Sequence, residues 1–285
     1  MHDEARAAPQ RLNPTPWRDL RVRALAGAVL AVGAFLLLVA GQRPFALLVL
    51  AIALLMSWEW GRMVRHNTWD VPFAVHAGAI TTAVLLAVTG LPALSLAVLG
   101  IGALVVLALE FGRRSTMSAH GVFYVGLPAV ALLWLRGDGP LGFWAVLMVV
   151  GCVVATDTAA FFAGRQFGGP KLWPAVSPNK TWAGLIGGVS ASALVATLFS
   201  LAVSGASWQR LLMLGVGLAL VSQAGDLAES GLKRLFKVKD TSSLIPGHGG
   251  FMDRMDGLVA AATAAALLSL LINAKAPARA LLLGS

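Results

Sequence analysis

The chain has 285 residues, 58% of them hydrophobic and 12% charged, with a formal net charge of +9. Soluble domains carry about 25% charged residues, so the composition excludes an ordinary soluble protein and describes a polytopic membrane protein. In such a chain the positive excess reports topology and anionic lipid rather than nucleic acid. The single cysteine, Cys152, excludes an internal disulfide framework and a cysteine-based metal site, and reads as a small buried hydrophobe.

Residues 1–23 form a polar arm with five arginines and three prolines, expected to be disordered and cytoplasmic. It has the charge of a signal-peptide n-region, but the apolar run behind it is long and no Ala-x-Ala site closes it, so it is expected to stay. A membrane helix needs about 20 apolar residues. Apolar runs near 24–40, 44–61, 72–89, 93–110, 120–136, 141–163, 182–204, 208–232 and 255–273 give about nine spans. The fold class is therefore all-α, with N-terminal transmembrane helices over 24–136 and a C-terminal transmembrane catalytic domain over 137–285. With the N-terminus inside and the spans alternating, 17 Lys and Arg fall on the cytoplasmic side and five outside. That split favours N-in, C-out.

Glu59 and Glu110 lie at cytoplasmic span ends, where they can pair with Arg62 or Arg113. Asp157 lies about two turns inside the sixth run, where a lone carboxylate needs a partner or a cavity. Ser177-Pro178-Asn179-Lys180-Thr181 then suits a turn and a helix N-terminus, whose free N–H groups favour phosphate. Gly184 and Gly188 make a small-xxx-small pair for close packing, against a neighbouring helix or a second subunit. A homodimer is the expected assembly.

The densest chemistry is at Asp226–Asp256. Ser222, Asp226, Glu229, Ser230 and Lys233 share one face of a helix end. Pro246-Gly247-His248-Gly249-Gly250 cannot continue a helix, and its glycines allow the positive φ of an anion-binding nest. Asp253, Arg254 and Asp256 open the next run, with the two acids three residues apart. Carboxylates from two helix ends, a glycine loop and several cations suit a Mg²⁺–polyphosphate. A plain basic anchoring loop would not need these acids. No Gly-x4-Gly-Lys-Ser/Thr, His-Glu-x-x-His or Gly-x-Ser-x-Gly motif occurs.

The order Ser230-x-Leu232-Lys233-Arg234-x4-Lys239-Asp240-x-Ser242-x2-Ile245-Pro246-x-His248-Gly249-Gly250-Phe251-x-Asp253-Arg254-Met255-Asp256 resembles the signature of the phosphatidate cytidylyltransferases, or CDP-diacylglycerol synthases. Ser177–Gly184 and Asp157–Gly164 resemble two further blocks of that family. The resemblance implies the reaction CTP plus phosphatidate giving CDP-diacylglycerol plus pyrophosphate. The net charge fits a bacterial or organellar inner membrane, the bacterial inner membrane being the expected location, and the Lys and Arg split puts the three motif blocks on the cytoplasmic face. It implies metal binding by Asp226 and Asp253, with Asp157 completing the site and Asp256 supporting it. Lys180, Lys233, Arg234, Lys239 and Arg254 are then expected to hold phosphates. Ser177 and Thr181 belong to the same nucleotide site, and His248, Gly249 and Gly250 form its phosphate loop. Mg²⁺ is the expected cofactor, with K⁺ as a second, monovalent cation by resemblance alone. The other classes left open are a CTP-dependent lipid kinase, which would move the γ-phosphate, and a transporter with a charged cytoplasmic gate.

Overall fold

The structure, a computed structural model, describes residues 16–110, 113–242, 244 and 249–285. The chain forms α1 (Pro16–Val39), α2 (Gln42–Arg65), α3 (Val71–Val88), α4 (Pro92–Leu109), α5 (Arg113–Arg136) and α6 (Gly139–Phe167). An antiparallel hairpin follows, β1 (Lys171–Trp173) with β2 (Ser177–Thr181), paired Lys171 to Thr181 and Trp173 to Ser177. Then come α7 (Trp182–Leu198), α8 (Trp208–Leu235), α9 (Met252–Asn273) and the short α10 (Pro277–Leu283). Among the described residues, eight helices are long and apolar enough to cross a membrane, from α2 through α9. The described apolar part of α1, Gly27–Val39, is shorter than a span.

Proline and capping residues set several helix starts. Pro16 opens α1, so the polar arm drawn to residue 23 ends earlier; a proline at the first position is pre-set for a helix and lacks the N–H that would go unpaired there. Pro92, Pro140 and Pro277 stand in the first turns of α4, α6 and α10. Asp70 caps α3 by accepting the Phe73 N–H at 2.8 Å, and Arg65 grips the same carboxylate through Nε and Nη2 at 2.9 and 3.0 Å. Burial alone would raise the Asp70 pKa; the Arg65 guanidinium and the Phe73 amide outweigh it and hold the carboxyl below its usual value.

Two helical groups meet along α5. Helices α2 to α5 pack on one another, α6 to α9 form the second group, and α5 touches α6, α9 and α10. Leu133, Leu135, Val122 and Val125 of α5 are essentially inaccessible. Ile101, Leu104, Ile186 and Leu271 point outward, where lipid removes them from water. The chain alternates direction, so the ends of α2, α4, α6 and α8 and the starts of α3, α5, α7 and α9 share one end of the bundle. The hairpin and the long α8–α9 connection both lie there.

The Gly184–Gly188 stripe packs inside the chain. A Cβ on Gly184 would sit 2.9 Å from the Ala160 carbonyl oxygen, and one on Gly188 would sit 2.8 Å from that of Thr156. The stripe is thus the α6–α7 contact. Cys152 is buried as expected, its thiol donating to the Ser192 carbonyl at 3.8 Å.

Candidate active site

Asp157 is exposed rather than packed between helices. It lines a cavity of about 920 Å³ at the motif end of the second helical group. The end of α6 supplies Asp157, Thr158, Phe161, Phe162 and Arg165; β2 supplies Asn179, Lys180 and Thr181; α8 supplies Gln223 and Asp226; the start of α9 supplies Asp253, Arg254 and Asp256. The helices bring together acids that are far apart in sequence because each acid lies within two or three turns of a helix end at the same side of the bundle.

Two ammonium groups organise these acids. Lys180 Nζ lies 2.6 Å from Asp226 Oδ2 and donates to Gln223 Oε1 at 3.0 Å. Gln223 Nε2 in turn donates to Asp157 Oδ1 at 3.2 Å, and Ser230 Oγ donates to Asp226 Oδ1 at 3.4 Å. Lys233 Nζ donates to Asp253 Oδ1 at 2.8 Å and lies 3.6 Å from Oε1 of the fully buried Glu229. The other oxygen of Asp253, Oδ2, accepts the Thr241 N–H, the Thr241 hydroxyl and the Gly250 N–H at 3.0, 3.1 and 2.9 Å. The side chains of Lys180 and Asp226 are 16% and 29% exposed, so their pair opens onto the cavity.

The expected phosphate elements are built differently from the sequence reading. Ser177–Thr181 is a strand, and α7 starts only at Trp182. Thr181 is its cap and accepts the Gly184 N–H at 3.1 Å, so that amide is not free for a ligand. Lys180 reaches the cavity from the strand. Ser177 sits at the far end of the pairing and does not line the cavity; nor do the exposed Arg234 and Lys239. Gly249 does have positive φ, at +83°. The Gly250 N–H is taken by Asp253 rather than by an open nest, and a Cβ there would strike the Thr241 hydroxyl and Glu59. Gly250 is therefore a close-approach glycine. His248 lies outside the described residues.

Other partners also differ from expectation. Glu110 lies 3.5 Å from Arg65, and Arg62 stacks 5.6 Å from the Trp58 ring centroid. Glu59 accepts hydrogen bonds from the α8–α9 connection. Gln223, Asn179 and Thr241 were outside the predicted set. Gln223 had a readable signal: it is polar in an apolar run, next to Ser222 and three residues before Asp226.

Among the described residues, no three His, Cys, Asp or Glu side chains converge as a preformed metal cage. The donor set still fits Mg²⁺ in chemistry. Four carboxylates line one cavity, and Mg²⁺ is usually held by one or two carboxylates together with substrate phosphates and water.

The family model described as "Cytidylyltransferase family" matches residues 21–272. A protein of Brucella suis biovar 1 (strain 1330) named phosphatidate cytidylyltransferase is 39% identical over 246 residues, covering 86% of this chain and 91% of its own. Proteins of the same name from Pseudomonas aeruginosa and Bacillus subtilis (strain 168) are 38% and 28% identical, covering 84% and 85% of this chain and 92% and 94% of theirs. A match that runs through α1 to α9 takes in both helical groups and every element lining the cavity, and on that ground the chain belongs to the cytidylyltransferase family.

Proposed function

We infer that the chain is a phosphatidate cytidylyltransferase, an integral membrane nucleotidyltransferase that makes CDP-diacylglycerol and pyrophosphate from CTP and phosphatidate. Family membership supports the reaction class. The observation that carries the site is the linkage of carboxylates and ammonium groups at one cavity at the helix ends: Asp157, Gln223, Lys180 and Asp226 line it as one chain of contacts, and Asp253 lines it while paired to Lys233, which does not itself line the cavity. A lipid phosphate lies at headgroup depth, and so does a site made of span ends.

The chemistry asks for charge management rather than a strong base. A phosphatidate oxygen is already anionic. It forms a bond to the α-phosphorus of CTP while the bond from that phosphorus to the bridging oxygen breaks, and the electron pair leaves with pyrophosphate. Lys180 and Arg254 offset the repulsion between lipid phosphate and triphosphate and hold the reacting groups in line. Lys233 holds Asp253 in place, and Gln223 orients Asp157. Asp226 and Asp253 would hold Mg²⁺, with Asp157 completing the site and Asp256 supporting it; the ion would supply charge neutralisation of the phosphates. K⁺ as a second cation stays in the proposal on the resemblance alone. Arg234, Lys239 and Ser177 take part only through movement toward the cavity once nucleotide is bound; His248 stays in the reading on the resemblance alone.

A groove of about 640 Å³ between α6 and α7 is lined by Ala155, Ala159, Ala163, Gly187 and Ala191, and it shares Thr158 and Phe162 with the cavity. We assign the lipid's acyl chain to it. Nine spans, with α1 as the first, the N-terminus inside and the C-terminus outside, put the cavity on the cytoplasmic face and most Lys and Arg with it. The bacterial inner membrane is the proposed location. The expected homodimer stays a proposal, and its contact is not the Gly184–Gly188 stripe, which α6 covers.

The test is the leaving group. Purified protein given CTP, Mg²⁺ and phosphatidate should release pyrophosphate only when lipid is present. Release of CDP instead would turn the reading to a lipid kinase, and release of neither would end the enzyme reading.

A further inference from the structure

Glu59 stands near the end of α2, in the first helical group, yet it is 0% exposed and, among the described residues, its hydrogen bonds go to the segment that enters α9. Its Oε1 accepts the Ser242 hydroxyl at 2.5 Å and the Phe251 N–H at 2.9 Å. Its Oε2 accepts the Met252 N–H at 2.7 Å and the Thr241 hydroxyl at 3.3 Å. The two amides are at the start of α9, where helix N–H groups lack intrahelical partners and favour an anion. A carboxylate from another helix therefore caps α9.

The same segment holds Asp253, and one donor, the Thr241 hydroxyl, is shared. The Thr241 amide and hydroxyl and the Gly250 amide all reach Asp253 Oδ2. The Thr241 hydroxyl lies between the two carboxylates and, with one proton, donates to one at a time. Gly250 passes so close to Glu59 and Thr241 that a side chain there has no room. Glu59 thus fixes the strap that fixes Asp253, one step removed from the cavity.

We propose that Glu59 is a positioning residue of the active site, which sets the orientation of Asp253 by clamping Thr241, Ser242 and the start of α9, and that this makes the first helical group part of the catalytic apparatus. The inference rests on the nucleotidyltransferase reading for its activity assay only. Glutamine is a sharp probe. Each Glu59 oxygen takes one backbone N–H, which cannot turn away, so either amide orientation of a glutamine sets its NH₂ against a donor.

The experiment uses the full chain in detergent and compares Glu59→Gln with Ser118→Ala. The latter removes the hydroxyl that Arg65 Nη1 donates to at 2.7 Å, in the same helical group but away from the strap. Glu59→Gln should lower kcat about tenfold or more and raise the half-saturating Mg²⁺ concentration severalfold, with KM for CTP changed by less than about twofold. Ser118→Ala should lower Tm and leave kcat and the Mg²⁺ dependence unchanged. Amide exchange at Thr241, Gly250, Phe251 and Met252 should quicken in Glu59→Gln alone. If Glu59→Gln fails to fold, Ser242→Ala, which removes one donor, should move the same three readouts in the same direction. Unchanged kcat and Mg²⁺ dependence, or activity loss in Ser118→Ala in proportion to Tm, would overturn the proposal. A wild type that transfers no cytidylyl group fails the functional reading instead; the clamp is then read from exchange, and equal exchange in both variants overturns it.

Discussion

Replacing Lys180 with alanine separates catalysis from stability. In the free protein its ammonium lies 2.6 Å from Asp226 and 3.0 Å from Gln223 Oε1. Both partners of the ion pair keep some solvent contact, at 16% and 29%, so water screens the pair and its loss costs at most about 1 kcal/mol of stability. In the reaction the same ammonium faces charge that grows on the transferring phosphate and the departing pyrophosphate. Removing one such preorganised group costs about 2.7–4 kcal/mol, or about 10²–10³ in rate. Lys180→Ala should therefore lose about two to three decades of kcat/KM while Tm falls by only a few degrees. The assay follows α-labelled CTP into extracted lipid across a range of substrate concentrations, with thermal unfolding measured on the same preparation. A rate loss below about fivefold, or a Tm loss large enough to account for the missing activity, would refute the role given to Lys180.

Gly188→Ala places a Cβ 2.8 Å from the Thr156 carbonyl oxygen and 3.1 Å from its Cγ2; the cost should be about 1–3 kcal/mol, seen as a lower Tm with reduced activity, because α6 and α7 carry Asp157 and frame Lys180. Chelation of Mg²⁺ should abolish turnover and shift Tm little, since Lys180 and Lys233 already neutralise Asp226 and Asp253; unfolding on chelation would contradict this. Ala191→Phe, which narrows the α6–α7 groove, should raise KM for phosphatidate and leave KM for CTP unchanged in steady-state kinetics. Asp70 has a depressed pKa in the folded chain, so its stabilisation is present above the unfolded carboxylate value and is lost as pH falls through the folded one. Asp70→Asn keeps a capping oxygen but removes the charge that Arg65 grips, and should accordingly lower stability by about 1 kcal/mol at neutral pH, and thermal unfolding should show the gap to wild type closing in acid.

Much of the site was readable because the chemistry interrupts apolar runs. Asp157, Asp226, Asp253 and Asp256 stand out in helices that otherwise bury hydrocarbon, and the helical spacing from Ser222 to Lys233 puts Asp226, Glu229 and Lys233 on one face of α8. The hairpin was not readable: Ser177-Pro178-Asn179-Lys180-Thr181 has little strand propensity, and its pairing with Lys171–Trp173 is set by the packed end of α6 and the start of α7. The partner of Glu59 was hidden for another reason. Nothing local to α2 marks a segment some 190 residues away, whereas Arg62 was within one turn; sequence proximity favoured the wrong partner. Gly250 was assigned to backbone flexibility because glycine usually signals it, and here the space beside Glu59 and Thr241 is what excludes a side chain.

The most direct measurement of the central claim follows α-labelled and γ-labelled CTP in parallel, with purified protein, phosphatidate and Mg²⁺, for wild type and for Asp226→Asn of matched Tm. The account predicts α-label in the lipid fraction, γ-label in pyrophosphate, and loss of both signals in Asp226→Asn. Label from the γ-phosphate in lipid, or wild-type transfer rates in Asp226→Asn, would contradict it.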